Sequence, residues 1–334
     1  MRGLFSLILL MLLGCSTEYV IPNHYPGVIK IKDNLLFTAY GEGGLFITDI
    51  ETDQVVAHII PQGEMKGIDD FSIDGDLLFV LDARSQDYFA SYSISLVESP
   101  VLLDGPIAVQ GGPYNGISAR GGNIVVSGGS GFLEYFQYSA DGKLTGSATF
   151  GRDRGHPDVI LSNTGAVAFV STDFSTRVNG SRFGMISLLL GATLNVPGVI
   201  SQHPIPEAGF TLGINSPVGF PIQADIYNNH LLVAHGGGMT IIELIDEAAF
   251  GETSLFNPGI EAVSVIAENN IAYIIGYSNS NPVLIKADIT DILNPITLET
   301  VALDINDDIP TSVALSSQHI FVAAGKSGIV KLIK

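Results

Sequence analysis

The sequence predicts an all-β fold: a seven-bladed β-propeller of four-stranded antiparallel blades, closed by the N-terminal strand. Three observations predict it. A polar or small turn residue followed by an apolar run, often ending in Gly, recurs seven times. Five of the six spacings between copies fall near the roughly 40–50 residues of a four-stranded blade. The two ends of the chain are complementary, one short of a strand and the other with an extended stretch to spare.

The copies are Asn34-LLFTAYG, Asp76-LLFVLD, Asn123-IVVSGG, Ala166-VAFVST, His230-LLVAHG, Asn270-IAYIIG and His319-IFVAAG, spaced by 42, 47, 43, 64, 40 and 49 residues. Each reads as the second strand of a blade. First strands precede it, as in Gly27-VIKI, Asp70-FSI, Gly116-ISA and Ser312-VAL. Third strands follow, as in Gly44-LFITDI, Met239-TIIELI and Gly328-IVKLIK, and fourth strands as in Gln54-VVAHII and Ile296-TLETVAL. A single twisted sheet leaves both faces open to water; a ring of them buries the faces between neighbours. The last unit stops at its third strand at Lys334, and Thr17 to Pro22, with Tyr19, Val20 and Ile21 at its centre, is expected to supply the missing outer strand.

The first 14 residues read as a sorting signal. Arg2 precedes an apolar core, Leu4 to Leu13, which is ten residues long. That is too short to span a bilayer, which takes roughly 20 residues. Leu12-Leu13-Gly14-Cys15 resembles the lipobox of bacterial lipoproteins, and Cys15 is the only Cys in the chain. The resemblance implies cleavage before Cys15 and acylation of that residue with palmitate-type chains. With Ser16 in place of Asp it also implies sorting to the outer membrane. Residues 15–334 then form a single propeller domain, lipid-anchored.

Gly43-Gly44-Leu45-Phe46-Ile47-Thr48-Asp49-Ile50 closes a third strand on an Asp-bearing turn, and Asp288, Asp291, Asn294 and Pro295 do the same in a later copy. Pro fixes φ there, and Asn caps its own backbone. These segments resemble the LVIVD-type repeat. The resemblance implies an envelope propeller whose repeat residues build the scaffold without defining a shared reaction.

Composition narrows the partners. The chain has 34 acidic and 15 basic residues, a formal net charge of -19, and 46% apolar residues, ample for a core. Nucleic acid is not an expected partner, because its phosphates need clustered Lys and Arg. With no Trp in the chain, a quinone-dependent dehydrogenase propeller, a family that stacks its cofactor on Trp, is disfavoured. A single Cys excludes an internal disulfide and a Cys-based zinc cluster.

Residues at the blade starts converge on the mouth of a central channel: His24, Asp69, Asn115, His156, Asp158, Gln223, Glu261 and Thr311. They line either a water-filled channel or a cation site. For the latter the set is His156, Asp158, Asp69 and Glu261, a mixed oxygen and nitrogen donor set for a divalent cation such as Ca²⁺. The same face is expected to carry Glu42, Asp82, Arg84, Asp173, His235, Tyr277 and Lys326. The long fourth interval is expected to add two loops there, Asp173-FSTRVNGSRF and Ser201-QHPIPEAGFTLGINSPVGF, bringing Arg177, Arg182 and His203. Gly236-Gly237-Gly238 and Ser127 to Gly131 lack a following helix and read as turns, not as a dinucleotide loop or a nucleophile elbow.

Two functions follow. The first is a cell-envelope lipoprotein acting as a non-catalytic binding or scaffold propeller for an envelope protein, a glycan or a cationic ligand. The alternative is a propeller hydrolase, lactonase-like or glycan-active, with a metal or acid/base site at the channel mouth. The sequence identifies no catalytic residue.

Overall fold

The computed structural model describes residues 27–83, 88–109, 114–128, 132–151, 159–163, 167–178, 181–190, 199–206, 223–245, 249–305 and 308–334. Blade one is β1 (Val28–Lys32), β2 (Leu35–Ala39), β3 (Leu45–Asp49) and β4 (Val55–Ile59). Blade two is β5 (Asp70–Asp74), β6 (Leu77–Asp82), β7 (Tyr88–Ser93) and β8 (Val101–Ala108). Blade three is β9 (Tyr114–Arg120), β10 (Asn123–Gly128), β11 (Phe132–Tyr138) and β12 (Leu144–Gly151). Blade four is β13 (Val159–Leu161), β14 (Val167–Val178), β15 (Ser181–Leu190) and β16 (Val199–Pro206), the last three described by their backbone alone. Blade five is β17 (Ala224–Tyr227), β18 (His230–His235), β19 (Gly238–Ile245) and β20 (Ala249–Phe256). Blade six is β21 (Glu261–Glu268), β22 (Ile271–Ser278), β23 (Asn281–Asp288) and β24 (Ile296–Ala302). The last sheet is β25 (Pro310–Leu315), β26 (His319–Ala324) and β27 (Ile329–Ile333). Each sheet is an antiparallel meander in chain order.

The prediction of seven four-stranded blades closed by the N-terminal strand is therefore corrected. The propeller has six four-stranded blades, and the last sheet, between blades six and one, has three strands. Among the described residues no strand pairs with β27 to close the ring. Side chains make that joint instead. Ile29 and Leu36 of blade one pack with Ala314, Phe321 and Ala323 of the three-stranded sheet. Lys331 Nζ reaches Asp53 Oδ1 and Ile50 O of blade one, each at 3.0 Å. Residues 17–22, expected to close the ring, lie outside the described residues.

Turn chemistry sets the hairpins. The loops joining first to second strands carry Asp33, Gly121, Gly122, Asn228, Asn269 and Asn270 at φ of 52 to 84°. Asp, Asn and Gly tolerate that region best, and it gives the twist that antiparallel hairpins need. In the turns after the third strands the Asp carboxylates bond the backbone that follows. Asp49 Oδ1 accepts from Thr52 N at 2.7 Å and Glu51 N at 3.1 Å, and Asp288 Oδ1 accepts from Thr290 N at 2.8 Å. Bonds from Thr52 and Glu51 hold the Asp49 carboxyl, and bonds from the Thr290 hydroxyl and N–H hold that of Asp288, below the usual range.

The core lies between blades. Phe37 and Ile47 of blade one meet Phe71, Leu78 and Val80 of blade two. Phe79 and Phe89 of blade two meet Tyr138 and Phe136 of blade three at ring separations of 4.6 and 4.8 Å. Leu232 and Ile241 of blade five meet Val265, Ile274 and Ile285 of blade six. Period-two alternation alone sends successive residues to the two flanking interfaces.

The first strands line the axis, and each has an edge facing the axis and the neighbouring blade with no strand on it among the described residues. That edge is bonded by the neighbouring blade's side chains. On β5, Asp70, Ser72 and Asp74 accept from the backbone N–H groups of Ile117, Ala119 and Gly121, each at 2.9 Å. The constant offset of 47 residues makes this a ladder of side chains. Ser118 accepts from Leu161 N at 3.0 Å, Asp225 from Ala267 N at 3.2 Å, and Ser264 from Val313 N at 3.3 Å. Ser312 accepts from Ile29 N at 3.4 Å, and Lys30 Nζ donates to Phe71 O.

Ser72→Ala strands the Ala119 N–H at a buried joint and is expected to destabilise the fold by about 1–3 kcal/mol. Ser93→Ala, at a partly exposed site where the hydroxyl meets Ser95 Oγ, should change stability by less than about 0.5 kcal/mol. Urea unfolding of both variants checks the difference.

Candidate functional site

The predicted channel-mouth set is half described. Asp69 precedes β5, and its Oδ2 accepts from Ala83 N at 2.9 Å, tying the start of the blade to the end of its second strand. Glu261 opens β21 with its side chain exposed. His156 and Asp158 lie outside the described residues, as do His24 and Arg84. Among the described residues no group of three or more His, Cys, Asp or Glu side chains is placed to hold a metal ion. Thr311 Oγ1 donates to Ala323 O at 3.3 Å within its own sheet.

The two expected loops of blade four are corrected in part. Asp173 and Arg177 belong to β14, Arg182 and Phe183 to β15, and Ser201 to Pro206 to β16. The first expected loop is thus two long strands, paired from Val167–Leu190 out to Val178–Ser181. Polar residues along an extended hairpin gave it the look of a loop. His203 pairs with Ile186 across β15 and β16. Residues 207–222 of the second loop lie outside the described residues.

Several same-face candidates serve the scaffold. Asp82 is buried and accepts from Lys66 N. His235 is also buried, and its Nδ1 accepts from Gly237 N at 3.0 Å. That bond requires the proton on Nε2, which donates to Thr240 Oγ1 at 2.9 Å. Burial pushes the imidazole down to about 4, so it is neutral at pH 7. The ring thereby closes the glycine turn, and Gly238, at φ 111°, has no room for a Cβ against Phe256 O. Tyr277 is raised to about 12 by burial and by the nearby charges of Asp308 and Glu261, so it stays a neutral phenol. Lys326 sits in a single 3₁₀ turn, Gly325–Ser327, which Asp308 Oδ2 caps by accepting from Ser327 N at 2.8 Å.

Sequence reasoning missed two carboxylates of the first strands, Asp70, which is buried, and Asp225, which is half-buried with its carboxyl turned inward. Burial raises Asp225 to about 6, against the pull of its bonds to the Ala267 and Ile226 N–H groups. Burial also raises Asp70, opposed by the charge of Lys30 and the bonds from Ile117 and Phe71. Their signal was an acid at alternating positions in an otherwise apolar first strand, as in Asp70-Phe-Ser-Ile-Asp74. On the opposite face, a cavity of about 330 Å³ is lined by Asp74, Asp76, Leu77, Ser93, Leu103 and Asp141. Its acids are engaged. Asp76 pairs with Lys32 at 2.8 Å, Asp74 takes Gly121 N and the Tyr138 hydroxyl, and Asp141 takes Ser139 Oγ.

Two blade-five groups oppose each other in pH. Asp225 is raised in the fold, so its contribution is fully present below pH 3.8 and is lost as pH rises to about 6. His235 is lowered, so its contribution is fully present above pH 6.5 and is lost as pH falls to about 4. Between pH 4 and 6 the two slopes offset. Asp225→Asn should therefore unmask a loss of stability on acidification, and His235→Gln a loss on raising the pH. Allowing for the partial exposure of Asp225, each amounts to roughly 1–2 kcal/mol across the window. Thermal melts at pH 4.5, 5.5 and 6.5 read both slopes.

No family model matches the sequence, and no curated protein matches it. Solved structures match the fold. The chain is similar to the computationally designed Ika8 protein at 12% identity and a TM-score of 0.62, covering 92% of this chain and 82% of that one. It is similar to the Cps50 (Swd1) β-propeller domain of Myceliophteria thermophila at 9% identity and a TM-score of 0.67, covering 93% and 98%. It is similar to a chain of Kuenenia stuttgartiensis hydrazine synthase at 15% identity and a TM-score of 0.65, covering 96% and 98%. At such identities the likeness shows the architecture alone, and that architecture is a β-propeller.

Proposed function

We propose that the chain is a bacterial cell-envelope lipoprotein, LVIVD-repeat-like, whose propeller is a non-catalytic binding or scaffold platform. One observation carries the scaffold reading. Three groups of the acid and imidazole type with shifted protonation, Asp70 and His235, both buried, and half-buried Asp225, bond to backbone N–H groups at blade joints and turns, where they hold the structure together. A catalytic acid or base instead needs its proton within reach of a substrate. The anchor rests on Leu12-Leu13-Gly14-Cys15, with Cys15 carrying the acyl chains and the outer membrane as destination. Several acyl chains together anchor stably, since each buried CH₂ contributes roughly 0.8 kcal/mol.

The partner is an envelope protein, a glycan or a cation, and the net charge of -19 favours cationic chemistry. For a divalent cation such as Ca²⁺, the proposed ligands are His156, Asp158, Asp69 and Glu261. They come from blades four, two and six, with His156 and Asp158 sharing blade four, so the cation would tie the mouth of the ring together.

Wild-type protein is expected in the membrane fraction with an acylated N-terminal Cys15 by mass spectrometry. Cys15→Ala should leave the membrane and keep its β-sheet circular dichroism. Wild-type protein that is released without detergent and carries no lipid would overturn the anchor. Calorimetric titration with Ca²⁺, Mg²⁺ and Zn²⁺ tests the cation. Binding by wild type that the His156→Ala/Asp158→Ala double variant loses supports the site, and equal isotherms remove it.

A further inference from the structure

We infer that Lys331 is a salt-sensitive latch on the ring: raised ionic strength loosens the three-stranded sheet from blade one, while the sheet stays attached to blade six. The inference goes beyond the proposed binding role and concerns how the propeller opens.

The two joints of the sheet are built alike at the axis. Ser312 Oγ accepts from Ile29 N at 3.4 Å on the blade-one side, and Ser264 Oγ accepts from Val313 N at 3.3 Å on the blade-six side. Apolar side chains pack behind each bond. Ile29 and Leu36 meet Phe321 and Ala323 at the first joint, and Tyr273 and Ile275 meet Ile320 and Val322 at the second. Each joint is then bridged by a lysine of the sheet, and the two lysines reach in opposite directions. Lys331, in β27, reaches blade one; Lys334, just after it, reaches blade six.

The two bridges differ in how far water and ions can enter them. Lys331 Nζ donates to Ile50 O and Asp53 Oδ1, each at 3.0 Å, in the turn that follows β3. Its side chain is 31% exposed and that of Asp53 is 71% exposed. Lys331 also lies 5.8 Å over the Phe321 ring, but Phe321 belongs to the same sheet, so this contact holds nothing across the joint. Lys334 Nζ contacts Glu268 of blade six and lies 5.8 Å over the ring of Tyr273, a buried residue of the same blade. Only 14% of the Lys334 side chain is exposed. Dissolved ions screen exposed pairs strongly and enclosed ones weakly, and a desolvated contact between a cation and a ring adds to the second bridge. Salt therefore acts on the Lys331 bridge and spares that of Lys334. When Lys331 lets go, water reaches the bond between Ser312 and Ile29 and the edge of β1.

Native-state amide exchange of the full chain tests this, between about 0.05 and 1 M NaCl. Ile29 reports the blade-one joint and Val313 the blade-six joint. Ala119, held by Ser72 Oγ at 2.9 Å, reports the joint of blades two and three and serves as the reference. Exchange at Ile29 relative to Ala119 is expected to rise about two- to fivefold with salt, the range of an exposed ion pair, and that at Val313 to stay level. Lys331→Met should bring Ile29 at low salt to the wild-type high-salt value and abolish the response. Lys331→Arg should restore both. Asp53→Asn removes the other partner at a turn position, φ 53°, that Asn tolerates, and should match Lys331→Met. A wild-type Ile29 ratio that ignores salt, a Val313 ratio that rises with it, or a salt response that survives in both Lys331→Met and Asp53→Asn would each overturn the latch. Membrane anchoring and cation binding, the tests of the proposed function, are read separately and do not depend on this result.

Discussion

A first strand in a propeller has a partner on one side only. Its other edge faces the axis and the neighbouring blade, with N–H and C=O groups that water reaches poorly and no strand covers. An unpaired buried amide costs about 1–3 kcal/mol, so several such strands left bare would outweigh a domain's net stability. In this chain the neighbouring blade supplies the missing acceptors from Ser and Asp side chains. Ser72 and Ala119, Ser118 and Leu161, Ser264 and Val313, and Ser312 and Ile29 repeat one bond around the axis. The apolar interfaces between blades set how far apart the sheets sit. These bonds set their register.

That constraint explains the buried carboxylates. Asp70 and Asp225 occupy positions where Ser suffices elsewhere, and an ionised acceptor makes the stronger bond to an amide. Removing the charge from water opposes this, and burial wins in both cases, since both groups are raised. A raised carboxyl beside a channel resembles a catalytic acid if its pKa alone is considered. The bond from Ala267 N to Asp225 identifies its role as a joint between blades five and six.

The strands were legible because their signal is local. Asn34, Asp76, Asn123, Ala166, His230, Asn270 and His319 each stand at, or one residue before, the start of β2, β6, β10, β14, β18, β22 and β26. A turn former followed by alternating apolar residues needs no partner to be read. The joints were not legible. Whether Ser72 meets Ala119 depends on how two blades are set against each other, and the sequence near either residue is silent on that. Blade four misled for a related reason. Thr176, Arg177 and Val178 continue a strand because Phe183, Arg182 and Ser181 pair with them, although their polarity suggests a loop. Closure misled too. Complementary ragged ends suggested a shared strand, whereas the described joint between β25 and β1 is made by side chains. Of the candidate site, the residue types were legible and their partners were not, as His235 and Asp82 illustrate.

The joints are not equal, and the inequality bears on where the ring opens. Blades two and three are joined by three bonds of 2.9 Å and by two aromatic contacts. The three-stranded sheet is joined on its two sides through Ser264 at 3.3 Å and Ser312 at 3.4 Å. Regions with longer bonds and more exposed apolar surface open at lower free energy than the rest of a fold. The three-stranded sheet combines the longest of these inner bonds with an exposed Ile333 on β27, so it is the element at which the ring is expected to open first.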